Sequence, residues 1–485
     1  MADDDRISRR STLEGLGALG AVTFLGPTTS RGEGNAPGIV DSDINGVRGE
    51  ILKKVLQTPF IDTHEHLIEE KDRLNGTAHG RVKSDDWTML LSHYLDSDMI
   101  TAGMPDEQSK RFFSPEVDAV DKWRLLKPFW PAIRNTGYGQ AVRIAIKSLY
   151  GVDGLSDESI RQVQAGYEKA RRPGFYKRIL RDLSGVESAQ VNCLERPFME
   201  SAQPTLLMQD LSIVGMFRGP AFDAFGGPTG IDVTSLSDWH RVIDWWFHKY
   251  ARYAVAVKSQ DAYSRDIDYR QAPAEKVEAV FKKVLNKEPH TAEEGKSLED
   301  HLFFYAVRKA AEADLPVKLH TGYYAGADYM PLSRLIRNPG SATDLCRSVP
   351  NTRFVFMHIC YPYYEEMISI AKHYTNAFID MCWAWIINPV AAKDFLKKYL
   401  VAAPANKILT FGGDYIPVEP VLGHAAIARR GITLALAELV EEGWVTLNDA
   451  MAMIDPIMHG NARSIFRLTD KAKALENAPW TTHTG

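Results

Sequence analysis

The stretch Phe60-Ile61-Asp62-Thr63-His64-Glu65-His66 decides how the rest of the chain is read. A β-branched and aromatic run ends in two histidines one residue apart. On an extended strand alternate side chains share a face, so His64 and His66 point the same way and can grip one divalent cation. Paired histidines also arise by chance, and the weight comes from repetition. Pro316-Val317-Lys318-Leu319-His320, Phe354-Val355-Phe356-Met357-His358 and Ile408-Leu409-Thr410-Phe411-Gly412-Gly413-Asp414 each carry a short apolar run into a residue of metal-ligand type.

The chain around these motifs has ordinary globular composition: 485 residues, 45% hydrophobic, 25% charged, with a formal net charge of -5. That is enough chain to bury a large core. Mild acidity gives no support to nucleic-acid binding, which favours a basic face. Cys193, Cys346, Cys360 and Cys382 form no C-x-x-C pair and read as free thiols in or near the core. No apolar run reaches the roughly 18 to 20 residues needed to cross a bilayer.

Residues 1–38 read as leader and linker. Ser8-Arg9-Arg10-Ser11 precedes a Gly/Ala-rich, weakly apolar segment, as in a bacterial twin-arginine export signal. Thr12 stands where that signal usually has a bulky apolar residue, and no clear A-x-A site follows. Periplasmic or exported localisation is the expectation, with a disordered leader on a cytoplasmic enzyme as the alternative. Gly15, Gly17 and Gly20 satisfy G-x-G-x-x-G without a preceding strand, and Gly295-Lys296-Ser297 lacks the leading glycine of a phosphate loop, so both are coincidences.

Residues 39–470 read as one unit and 471–485 as an irregular tail. Ile51 to Leu56 continues a short helix into the first strand. From about 67 to 185 helical periodicity and aromatics (Trp87, Tyr94, Trp123, Phe129, Trp130, Tyr138, Tyr150) mark a helical insertion over the mouth of that strand. Apolar runs resume at Val186–Leu194, Ser212–Phe217 and Tyr253–Lys258, with an amphipathic helix over Leu236–Tyr250. Counting runs near 60, 188, 213, 255, 317, 355, 378 and 409 gives eight strands alternating with helices. This predicts an α/β fold, a distorted (β/α)8 TIM barrel with its active site at the C-terminal strand ends.

His64, His66, His320 and Asp414 fall at those ends. Imidazole with carboxylate suits Zn²⁺ or a neighbouring divalent ion, with a coordination position left for water. Asp414 can accept and return a proton, and His358 is placed to contact the reacting oxygen. Gly412 and Gly413 are expected to let the backbone turn tightly before Asp414 and to leave space for substrate. Lys258 has three readings: a cation for a substrate carboxylate, the partner of a buried acid, or a carbamylated bridge between two metals. The first two are preferred. Lys318 is a second candidate cation, and Arg265 suits a bidentate carboxylate contact or a surface loop.

In this order the motifs resemble the amidohydrolase superfamily, within it amidohydrolase family 2, over about 60–66 and 186–468. The segments Leu315–Gly322, His358–Pro362 and Gly412–Asp414 look most like the amidohydrolase-like domain that some proteins carry fused to a glutamine-synthetase-like domain. The long insertion is similar to that of uronate isomerases. The resemblance implies one catalytic divalent metal, zinc or manganese, on His64, His66, His320 and Asp414, with Asp414 also carrying a proton and His358 orienting the reacting oxygen. A second metal with carbamylated Lys258 follows from binuclear relatives. The expected activity is metal-dependent hydrolysis of an amide, ester or lactone in a small carboxylate-bearing molecule, with Lys258 or Arg265 on the carboxylate. The alternatives are non-oxidative decarboxylation or uronate-type isomerisation on the same metal, or a catalytically silent exported binding protein. Partners reduce to a small-molecule substrate, without nucleic acid or a membrane span, and a homo-oligomer is compatible with the sequence.

Overall fold

Eight parallel strand segments run in chain order around a barrel in this computed structural model, which describes residues 46–76, 85–217 and 223–481. They are β1 (Phe60–Glu65), β2 (Val186–Val191), β3 (Leu207–Gln209, continued past Asp210 by Leu211–Ser212), β4 (Val257–Ser259), β5 (Val317–Leu319), β6 (Phe354–Phe356), β7 (Ala377–Asp380) and β8 (Ile408–Leu409). Every neighbouring pair is parallel. Backbone hydrogen bonds from the Thr63 N–H to the Phe411 carbonyl (3.0 Å) and from the Asp414 N–H to the His64 carbonyl (2.8 Å) join β1 to the segment after β8 and close the ring. The predicted barrel is the observed one.

Local chemistry explains the helices between. Over Leu236–Tyr250 the buried residues Leu236, Trp239, Val242, Ile243, Trp246 and Phe247 recur at helical spacing, and the Ser235 side chain caps the Asp238 N–H. Thr291 and Glu294 form a reciprocal capping box at the start of Ala292–Glu312.

Two boundaries differ from expectation. The apolar run predicts the third strand at Ser212–Phe217, but the chain pairs over Leu207–Ser212, and Val214–Phe217 is helical. Both segments are buried and apolar, so composition does not separate them; hydrogen bonding to β2 and β4 does. The tail after residue 470 is not irregular at its start. Leu468–Glu476 is a helix that buries Leu475, and the Trp480 indole N–H donates to the Ser201 carbonyl at 3.1 Å.

A lower core of Ile61, Met208, Val255, Val355 and Leu409 meets Ala462, Ile465 and Phe466 from the C-terminal segment, which plugs the barrel at the N-terminal ends of its strands. Above it the helical insertion lies across the opposite mouth. Its helix Gly137–Tyr150 packs on Glu419–Glu441 so closely that a Cβ at Gly423 would fall 1.9 Å from the Ala141 carbonyl oxygen. Buried Arg73 ties the same layers, donating to Glu419 Oε1 (2.7 Å) and the Tyr167 hydroxyl (2.9 Å). Among the described residues no helix is long and apolar enough to cross a membrane. The leader assignment falls on residues 1–38, outside the described ones.

Candidate metal centre

β1 does not run as an ideal ribbon. Its register against β2 shifts between Phe60 and Ile61 and again between Asp62 and Glu65, the kind of irregularity that re-aims side chains. His64 and His66 still come together, with ring centroids 4.6 Å apart. Asp414 meets them across the barrel closure: Oδ1 lies 3.1 Å from His64 Nε2 and 3.4 Å from His66 Nε2. One ligand atom from each of the three lies within 4.8 Å of the others, a spacing that one ion can span.

The surrounding shell holds this trio in place. The His66 Nδ1–H donates to the Asn192 carbonyl at 2.7 Å, which fixes the tautomer and leaves Nε2 facing Asp414. Asp62 Oδ1 accepts from the N–H groups of His64 (3.1 Å) and Gly413 (3.2 Å), and Glu65 Oε2 accepts from the Tyr415 N–H (2.6 Å). Burial raises both acids, Asp62 to about 6 and Glu65 well above the usual carboxylate range, and they share a hydrogen bond. Gly412 and Gly413 do not make the turn expected of them. The left-handed residue is Asp414 itself, at φ 62°. The room at Gly413 is filled by the Glu65 carboxyl, since a Cβ there would lie 1.9 Å from Glu65 Oε1.

Electrostatics suits a cation. Burial holds His64 and His358 well below the ordinary imidazole value and His66 and His320 at about 3, with the Lys258 ammonium pressing each further down. All four are therefore neutral at physiological pH, the form that ligates metal. Burial pushes Asp414 up to about 7, partly offset by Lys258 and by a hydrogen bond with Tyr94. His358 is fully buried, and neither of its ring nitrogens has a hydrogen-bond partner. Neutral imidazoles, a buried carboxylate and an unsatisfied ring together fit a divalent ion.

The other site residues are placed less uniformly. His320 lies beside His358 with ring centroids 4.5 Å apart, but its Nε2 bonds the Tyr323 carbonyl at 2.9 Å, so it stands one ring outside the trio rather than within it. His358 Nε2 lies 3.7 Å from Asp414 Oδ2, the oxygen opposite the His64 and His66 side. Lys258 Nζ is 3.5 Å from His64 Nε2, buried in the site, where desolvation lowers it to about 8. Lys318 is no substrate cation: its ammonium is closed between both Asp210 oxygens (2.9 Å) and the Thr63 carbonyl (2.7 Å). Arg265 is likewise committed, donating to Glu299 (2.8 Å) and Asp300 (2.6 Å) over the Tyr269 ring. A guanidinium saturated by its own chain's acids has no fork left for a substrate carboxylate.

Sequence reasoning passed over two groups. Cys382, two residues beyond β7, has its thiol within 4.8 Å of His358 and Asp414 ligand atoms. A rule that each strand end supplies a ligand, applied to the run near 378, stops two residues short of it, at Asp380. Tyr94 of the insertion is held at φ 78°, stacked on Trp383 (4.6 Å) and on His93 (4.1 Å), with its hydroxyl on Asp414. No local signal marks it, because its role exists only once the insertion folds back over the mouth.

The amidohydrolase family model matches residues 243–468, the part that carries Lys258, His320, His358 and Asp414 but not His64 and His66. Protein fluG of Emericella nidulans is 24% identical over 165 residues, which are 34% of this chain and 18% of the length of fluG. Among solved structures, uronate isomerase from Thermotoga maritima superposes with a TM-score of 0.70 at 13% identity, over 87% of this chain and 97% of that one. Glucuronate isomerase from Caulobacter crescentus gives 0.69 at 15% identity, over 87% and 94%. A proposed metal-dependent hydrolase from Lactobacillus casei gives 0.60 at 16% identity, over 87% and 98%. The strand-end motifs, the closed parallel barrel and the family match over 243–468 agree: this chain is similar to amidohydrolases over that stretch and folds as the same kind of barrel as the solved structures.

Proposed function

We propose that the protein is a metal-dependent hydrolase acting on an amide, ester or lactone bond of a small carboxylate-bearing molecule. The observation that carries it is the placement of Asp414. One carboxylate oxygen faces His64 and His66, the other faces His358, and burial lifts its affinity for a proton into the neutral range. A divalent ion held by His64, His66 and Asp414 would supply Lewis-acid polarisation and an acidified water. Asp414 takes up the proton released in attack and returns it to the leaving group. His358, neutral and otherwise unbonded, faces the Oδ2 side of that carboxylate and orients the reacting oxygen. With Lys318 and Arg265 committed elsewhere, Lys258 is the cation left to receive a substrate carboxylate. Tyr94, Trp383 and Tyr415 wall the site with aromatic surface.

A specific observation favours a second reading, isomerisation of a sugar acid. The likeness to uronate isomerases extends over 87% of this chain, and the Tyr94 hydroxyl sets a second proton carrier beside Asp414. The test is metal-loaded enzyme against N-acyl amino acids, lactones, aromatic acids and uronates, with products identified by mass. Hydrolysis products are the expected outcome; an aldose–ketose shift, or CO2 without hydrolysis, would overturn the proposal. Export through Arg9 and Arg10 is a separate proposal. Fractionation of cells carrying native or Arg9→Lys/Arg10→Lys chains tests it, with retention of the variant in the cytoplasm expected.

A further inference from the structure

We infer that the barrel holds a second divalent ion on His358, Cys382 and Asp414, with a cysteine thiolate as ligand and Asp414 bridging the two ions. The inference rests on the first ion proposed above and adds a ligand role to His358. Three observations support it. One ligand atom each from His358, Cys382 and Asp414 lies within 4.8 Å of the others, a group separate from His64, His66 and Asp414 but sharing its carboxylate. The two oxygens of Asp414 are divided between the groups, Oδ1 to His64 (3.1 Å) and Oδ2 to His358 (3.7 Å). His358 is completely buried with neither ring nitrogen hydrogen-bonded. An imidazole so placed is costly unless something occupies its lone pair.

Tetrahedral coordination at bond lengths of ~2.0–2.3 Å sets ligand atoms roughly 3.3–3.8 Å apart, so the group needs only a modest contraction. A carboxylate bridging two ions ~3.5–4 Å apart is a recurrent two-metal arrangement. Mixed nitrogen, oxygen and sulfur donors suit Zn²⁺ and its spectroscopic substitute Co²⁺ better than Mg²⁺ or Ca²⁺. Cys382 is fully buried beside a carboxylate, which favours the thiol, so binding must expel one proton per chain to solvent. Lys258 Nζ instead lies against His64, on the first ion's side. The bridging group argued here is therefore Asp414 rather than a carbamylated lysine.

The experiment loads the full chain with Co²⁺ and measures metal stoichiometry together with the near-ultraviolet sulfur-to-cobalt charge-transfer band. Native protein, Cys382→Ser, His66→Ala and Lys258→Met are compared. Two ions per native chain with the band, and one ion without it in Cys382→Ser, is the expected result. One ion without the band, kept by Cys382→Ser and lost by His66→Ala, would overturn the second site and leave the first. One ion that carries the band would also overturn it, by placing Cys382 on a single centre. A second ion lost in Lys258→Met but kept in Cys382→Ser would assign the bridge to the lysine and overturn it equally. A native chain that takes up no ion at all would sink both this inference and the proposed hydrolase.

Discussion

Glu65 sets its carboxyl directly against Gly413, with Oε1 only 1.9 Å from where a Cβ on that glycine would be. The contact joins the first strand to the loop that delivers Asp414. Gly413→Ala is therefore expected to push Glu65 and the loop apart, an overpacking cost of about 1–3 kcal/mol. Metal content by elemental analysis should fall along with the melting temperature. Full metal occupancy in Gly413→Ala would show that the close approach is dispensable.

Asp414→Asn keeps the shape of the side chain and removes its basicity. Turnover should drop by about 100- to 10,000-fold, the range for loss of a general acid–base. Circular dichroism should stay native, because the backbone bond from the Asp414 N–H to the His64 carbonyl survives the change.

Tyr94→Phe retains the stacks on Trp383 and His93 and deletes only the hydroxyl on Asp414. A hydrogen bond to a charged group contributes about 1.5–3 kcal/mol, so kcat should fall about 10- to 100-fold. Metal stoichiometry should not change. Unaltered kcat would reduce the insertion to a cover.

Lys318 and Asp210 form a fully buried ion pair beneath the site. Lys318→Met strands the Asp210 carboxylate and should cost about 3–5 kcal/mol, read as a shift in denaturant midpoint. Adding Asp210→Leu should restore most of that loss, because an apolar pair of similar volume leaves no unpaired charge. No recovery in the double variant would mean the pair does more than balance charge.

His240 and His301 face each other Nε2 to Nε2 at 3.0 Å across the helices Leu236–Tyr250 and Ala292–Glu312, while His301 Nδ1 bonds the Ala272 carbonyl at 2.7 Å. Burial holds His240 down to about 4 and lowers His301 as well. With both folded values depressed, the unfolded chain takes up protons first as pH falls. Stability is complete above the ordinary imidazole value of 6.5 and declines from there towards about 4. Melting curves should show this decline, and His240→Gln should flatten it. An identical pH profile in the variant would remove the pair from the acid response.

Sequence alone determined the fold class and most of the residues that gather at the candidate site. Strand periodicity is local, and residues at the ends of parallel strands must converge on one mouth. Phe60–His66, Val317–His320 and Ile408–Asp414 thus announced both a barrel and the residues at its mouth before any contact was known. What only the tertiary structure decided was which charged groups face that mouth. Lys318 and Arg265 look as available in sequence as Lys258, yet Asp210 neutralises the first and Glu299 with Asp300 the second. Their partners lie 108, 34 and 35 residues away along the chain, beyond the reach of any local pattern. Tyr94 and Cys382 entered the site for the same reason. Closure of the ring and the fold-back of the insertion create proximities that chain order does not encode.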